Sequence, residues 1–326
     1  MPPHLISSSS FTLPTATHSL SFTLHTPLTP PTPTAPLIII FPGYGDVAYS
    51  WHRVVSLLAL RFSVLTYDRS GLGASLRGPN RALAAVAASE LCQALSNRSA
   101  PPVPLPSPPY VLLAHSYGAL VAREFLALDS PLGRAGECVK GMVLVDPASE
   151  KQHEYFDFEL VDRIGEGVSL ARATGLRAKS RFTDEEWRTR VRLMTGGLPA
   201  AKEEGANFVE HCRSVRALRQ IERRALGKRP LSVVLARSRL DYEAVLTAGV
   251  ARGNGTVEER EKMRSLLGVW DAETRRLAAE QLGMSENAKL VEVECGHNVH
   301  LLRPDVVAGE VEWVMTQLEG KIKEKI

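Results

Sequence analysis

The sequence predicts an α/β protein with a mostly parallel central sheet of about eight strands, flanked by helices. Three observations carry this. Apolar runs such as "LIIIF" (37–41) are continuous rather than alternating, which suits strands buried on both faces. Each run breaks at a short turn and is followed by a segment of helical spacing, and such alternation builds a parallel sheet. From about residue 150 to 228 the alternation lapses into helices alone before strands resume, so a helical cap is expected after the sixth strand.

The elements follow in order. "SSSSFTLPTATHSL" (7–20) is polar and broken by proline, while "HSLSFTLHTPL" (18–28) alternates well enough for an early strand. "TPPTPTAP" (29–36) is a proline-rich turn, and "LIIIF" follows it as a strand stopped by "PGYGD". A helix from Trp51 leads to the strand "FSVLTYD" (62–68), stopped by "RSGLGAS". "NRALAAVAASELCQAL" (80–95) is helical by composition, and "PPVPLPSPP" (101–109) is a linker. "YVLLAH" (110–115), "YGALVAREFLAL" (117–128) and "GMVLVD" (141–146) give strand, helix and strand.

In the helical stretch, Thr183 followed by Glu186 forms a capping-box signature. "LSVVLA" (231–236) resumes the strands. A helical stretch (roughly 242–283), the strand "AKLVEVECGH" (288–297) and a closing helix from Pro304 complete the chain. The division expected is a first core part (1–149), a cap (150–228) and a second core part (229–326).

Composition removes several classes of function. The 326 residues are 44% apolar and 23% charged with a net charge of +3, so no basic stripe points to nucleic acid. Cys92, Cys138, Cys212 and Cys295 show no metal or redox spacing and are expected as buried free thiols. No Lys or Arg precedes Arg53, which argues against a signal or transit peptide. No apolar run approaches the ~18–20 residues of a membrane span. A cytoplasmic protein without membrane insertion is expected.

The chemistry centres on "VLLAHSYGAL" (111–120). A serine on a sharp strand-to-helix turn exposes its hydroxyl, and such a turn needs small residues two before and two after it. Ala114 and Gly118 fill those places around Ser116. This resembles the nucleophile elbow of α/β-hydrolases, G-x-S-x-G, with alanine for the first glycine.

Further motifs fall in the family's order. "LIIIFPGYGD" is similar to its apolar strand followed by H-G-x-G, with Pro42 in place of histidine. "TYDRSGLGAS" (66–75) also matches, and there Asp68 and Arg69 are expected to be structural. "VEVECGHNVHLLRPDVV" resembles the C-terminal histidine loop.

The resemblance implies a catalytic triad of Ser116 as nucleophile, His297 as base, and Asp241 as the acid that orients it. Asp146, at the end of "GMVLVD", is the rival acid, and His300 is the second candidate for the base. The backbone N–H groups of Tyr117 and Tyr44 are the expected oxyanion donors, and both side chains are candidates for lining the substrate cavity. No metal or cofactor is required.

The implied function is a serine hydrolase cleaving a carboxylic ester, lactone or thioester of a small to medium hydrophobic substrate. The alternative is non-hydrolytic chemistry in the same pocket: a lyase, a cyclisation or acyl transfer. Epoxide hydrolases and dehalogenases of the family carry aspartate where Ser116 stands. "YDRSGLGAS" and "GHNVHLLRPD" are most similar to a fungal branch whose members include natural-product enzymes of secondary metabolism.

Overall fold

Eight strands make one sheet in the computed structural model: β1 (Ile6–Pro14), β2 (Ser19–Pro27), β3 (Leu37–Phe41), β4 (Val64–Tyr67), β5 (Tyr110–His115), β6 (Val139–Val145), β7 (Gly227–Ala236) and β8 (Ser285–Val293). Their spatial order is β1-β2-β4-β3-β5-β6-β7-β8. The structure describes residues 6–29, 32, 34–96, 109–130 and 133–323. Most of the expected linker (101–109) and Pro30, Pro31 and Pro33 of the proline-rich turn therefore lie outside the described residues.

From β4 through β8 every neighbouring pair is parallel, while β1 and β2 add an antiparallel edge. β1 was not expected from its serine-rich sequence. Phe11 and Leu13 alone give it an inward face, opposite Phe22 and Leu20 of β2, and the Phe11 and Phe22 rings stack. An alternation that short is a weak signal in a polar stretch.

The continuous apolar runs are buried on both sides, as a parallel sheet requires. Leu37, Ile39, Phe41, Leu112 and Ala114 face one core, backed by α2 (Ala84–Ser96) and α3 (Gly118–Ala127). Ile38, Ile40, Val111 and Leu113 face the other, backed by α1 (His52–Leu58) and the closing helix Pro304–Lys323.

Between β6 and β7, the sixth and seventh strands of the sheet, the chain is helical. Its main helices are α4 (Asp184–Gly196), α5 (Leu198–Ala206) and α6 (Phe208–Ala217). The capping box at Thr183 and Glu186 forms as expected. The same Glu186 carboxylate reaches back to the core, accepting from Arg53 at 2.6 Å and lying 3.0 Å from His52. Arg77–Glu203 and Arg81–Glu210 are further, exposed ties of this kind. The stretch after β7 is two helices, α7 (Arg239–Ala251) and α8 (Val257–Gln281).

Of the four cysteines only Cys212 is fully buried; Cys92, Cys138 and Cys295 are partly exposed. Burial pushes the Cys212 thiol up to about 12. Among the described residues no helix is long and apolar enough to cross a membrane.

Candidate active site

The side chains of interest collect at the C-terminal ends of the strands, where open α/β sheets hold their ligands. β5 ends at His115, and Ser116 takes φ 52°, in the left-handed region that costs a residue with a side chain. Just after the turn the chain passes very close to the end of β3, and only glycine at 118 leaves room for this. A Cβ on Gly118 would lie 2.5 Å from the Pro42 carbonyl oxygen and nearer still to that of Phe41. Gly118→Ala should therefore force two backbone segments apart and lower stability by about 1–3 kcal/mol. Urea denaturation measures this, with Gly196→Ala as control, since a Cβ there meets nothing within 4 Å.

His297 follows β8 and is held through both its ring and its main chain. Its ring Nε2 lies 2.9 Å from Ser116 Oγ, and its Nδ1 lies 2.5 Å from Asp146 Oδ2. Its backbone N–H donates to Asp241 Oδ2 at 2.7 Å, and its carbonyl accepts from His115 Nε2 at 2.9 Å. A carboxylate at Nδ1 can only accept, so Nδ1 carries the proton and Nε2 is left to accept from the serine hydroxyl.

The carboxylate on the imidazole is thus Asp146 rather than the expected Asp241. Asp146 stands at the end of β6, next to β5, with φ 39°, and its Oδ1 accepts from the Ala236 N–H at 3.0 Å. Asp241 lies in the first turn of α7, one strand further away. From there it reaches the main chain of His297 but not the ring. It also fills the space a side chain at position 296 would need: a Cβ on Gly296 would sit 2.6 Å from Asp241 Oδ2.

The electrostatics follow from this packing. Burial opposes a charged His297, yet the Asp146 hydrogen bond and charge, with Asp241 and Asp46 behind it, outweigh that and raise its pKa above the ordinary 6.5. His115 and His300 go the other way. Burial lowers the pKa of both; at His115 the His297 and His300 rings add to it, and at His300 burial, with Arg190 and His297, outweighs the opposing Asp46 carboxylate. His300, the second candidate for the base, stacks its ring on Trp51, and its Nε2 lies 3.3 Å from Asp46 Oδ2. Burial raises the pKa of Asp241.

The loop after β3 runs along the elbow. A Cβ on Gly43 would lie 2.8 Å from His115 Nδ1 and 3.4 Å from Ser116 Cβ, so only glycine permits the approach. Neither the Tyr44 nor the Tyr117 backbone N–H has a hydrogen-bond partner among the described residues. Tyr44 is 50% exposed and lies against Gly205 of α5.

Tyr117 differs from expectation. Its ring is buried, with the Arg69 guanidinium 5.1 Å from its centroid and His211 edge-on at 5.0 Å. Its phenol hydroxyl is buried and has no hydrogen-bond partner among the described residues. Asp68 and Arg69 behave structurally: Asp68 accepts from the Ala48 and Ala74 N–H groups, and Arg69 donates to the Pro42 and Gly43 carbonyls.

Sequence reasoning missed three residues here: His115, Arg190 and Glu204. The last two sit in helices rich in interleaved charges, yet both are buried. Arg190 meets Asp46 and Ser50, and Glu204 meets Arg69. Among the described residues no group of three or more His, Cys, Asp or Glu side chains is arranged to hold a metal ion.

Comparison with known proteins agrees with this architecture. The model of the alpha/beta hydrolase family matches residues 38–310. A protein of Gibberella zeae described as an AB hydrolase superfamily protein is 28% identical over 294 residues, covering 87% of each chain. The structure of Cfl2 from Burkholderia cenocepacia superposes with a TM-score of 0.61 at 20% identity, covering 95% of this chain and 96% of that one. A putative epoxide hydrolase from Pseudomonas aeruginosa superposes with a TM-score of 0.62 at 16% identity, covering 98% of each. Most of the chain thus matches one family model in sequence and shares its fold with these structures: the protein belongs to the alpha/beta hydrolase family.

Proposed function

We propose that the protein is a serine hydrolase that cleaves a carboxylic ester, lactone or thioester of a small to medium hydrophobic compound through an acyl-enzyme on Ser116. The observation that carries this reading is the unbroken hydrogen-bonded run from Ser116 through His297 to Asp146. A serine hydroxyl is a poor nucleophile alone, and an adjacent oriented base is what activates it.

Ser116 Oγ attacks the carbonyl carbon while His297 Nε2 takes its proton. Asp146 holds the Nδ1 proton and stabilises the imidazolium. The Tyr44 and Tyr117 N–H groups, both unpartnered, receive the oxyanion. His297 then protonates the leaving oxygen or sulfur, the C–O or C–S bond breaks, and water repeats the sequence on the acyl-serine. The helical stretch at 150–228 acts as a cap over the site, and Tyr44 lines the approach.

A serine at position 116 separates this chemistry from the aspartate-nucleophile branches of the family, including the epoxide hydrolases. The test is covalent trapping. A fluorophosphonate should add to wild-type protein at one site, and peptide mass mapping should locate it at Ser116. A panel of p-nitrophenyl esters, lactones and thioesters should show turnover whose acid limb has its midpoint above 6.5, because only neutral His297 accepts the proton. Labelling at another residue, or none, would sink the proposal. Labelling without release to water would instead favour acyl transfer.

A further inference from the structure

The geometry points to a second task for the cap: Glu204, acting through Arg69, orients the Tyr44 N–H, so that oxyanion stabilisation requires α5 to be docked. The catalytic consequence rests on the serine-hydrolase reading above. The structural part rests on hydrogen bonds alone.

In a trans peptide the carbonyl of one residue and the N–H of the next point in opposite directions. Whatever holds the Gly43 carbonyl therefore sets the direction of the Tyr44 N–H. That carbonyl accepts from Arg69 Nη2 at 2.7 Å, and the preceding one, of Pro42, accepts from Arg69 Nη1 at 2.7 Å. The guanidinium is planar and rigid, so its own orientation fixes both carbonyls.

Arg69 is oriented in turn by the cap. Glu204 of α5 takes it through two contacts, Nε to Oε1 at 2.6 Å and Nη2 to Oε2 at 3.0 Å. The same Oε2 accepts from the Gly45 N–H at 2.9 Å. One cap carboxylate therefore holds the backbone on both sides of Tyr44. Ala201, also in α5, closes the cradle: a Cβ on Gly45 would lie 2.8 Å from its methyl group.

The far end of the loop is held from α4. Arg190 Nε donates to Ser50 Oγ at 2.9 Å, and its Nη2 lies 3.3 Å from Asp46 Oδ1. The Asp46 N–H completes the turn on the Gly43 carbonyl at 3.1 Å. A merely adhesive role does not require this convergence. The exposed pairs Arg77–Glu203 and Arg81–Glu210 join cap to core without touching residues 42–46. Glu204 is accordingly a positioning residue for the oxyanion donor.

The experiment compares wild type, Glu204→Gln, the double variant Arg69→Gln/Glu204→Gln, and Arg81→Gln. The double variant leaves no lone buried charge, so it stays informative if the single one misfolds. The first readout is amide hydrogen exchange at Gly45 and Asp46. It should speed up by about tenfold or more in both Glu204 variants and stay unchanged in Arg81→Gln, because only the former release a held loop. The second is p-nitrophenyl ester turnover. kcat should fall by about 10–1000-fold with KM within about threefold, as for the loss of one oxyanion donor.

Wild-type exchange and kcat in the double variant would overturn the inference, as would equal changes in Arg81→Gln. If wild type neither turns over an ester nor labels at Ser116, the serine-hydrolase reading fails, while the exchange comparison still decides whether the cap holds the loop.

Discussion

Ser116→Ala should abolish catalysed ester hydrolysis, lowering kcat by roughly 10⁵–10⁶. The size of the effect follows from the division of labour. His297 and Asp146 have no purpose in acyl transfer without an oxygen to deprotonate, so removing the nucleophile removes the whole unit rather than one increment. The fold should hardly respond. The hydroxyl makes one hydrogen bond, to His297 Nε2, and its loss should alter stability by about 0.5–1.5 kcal/mol. Steady-state kinetics, fluorophosphonate labelling and urea denaturation of the same preparation measure all three quantities. An alanine variant that retains even a hundredth of wild-type turnover would mean that another group attacks the substrate.

Asp146→Asn is expected to lower kcat by about 10⁴, because an amide at Nδ1 favours the wrong tautomer and cannot stabilise the imidazolium. Asp241→Asn should cost far less, about 10²-fold. It loosens the main chain of His297 and shifts the ring, without removing the ring's own partner. The pH profile separates the two further. The Asp146 hydrogen bond and charge hold the imidazolium against burial, so without them the acid limb of kcat/KM moves to lower pH. In the proposed mechanism neutral His297 is the active form, hence the residual activity of Asp146→Asn should persist to more acidic solutions than that of wild type. Activities of the two variants in the reverse order would give the orienting role to Asp241.

The choice between these carboxylates shows how far the sequence could be read. Ser116 and His297 are legible because their signals are local: small residues around a serine at a strand end, and a Gly-His after the last strand. The acid has no such signal. β6 and β7 are neighbours in the sheet, so the turns that follow them converge on the same imidazole, and two aspartates arrive there together. Which one meets Nδ1 depends on an offset of a few ångströms between a strand end and a helix's first turn, and residue spacing does not carry that information.

Arg190 and Glu204 were hidden for a related reason. In an arginine- and glutamate-rich helical stretch, a charge buried against the core looks the same as one in water until its partner is known. β1 was obscured by its serines, since pairing with β2 needed only Phe11 and Leu13 to face inward. The sheet itself was legible because runs buried on both faces admit few other readings.

Ser116 and Asp146 both hold left-handed backbone angles at the ends of adjacent strands. Such a conformation costs of order 1–3 kcal/mol per residue, and the surrounding packing has to enforce it. Reactivity and ruggedness therefore pull against each other at this edge of the sheet. A descendant freed from the need to turn over substrate could relax both corners with glycine and become sturdier and inert.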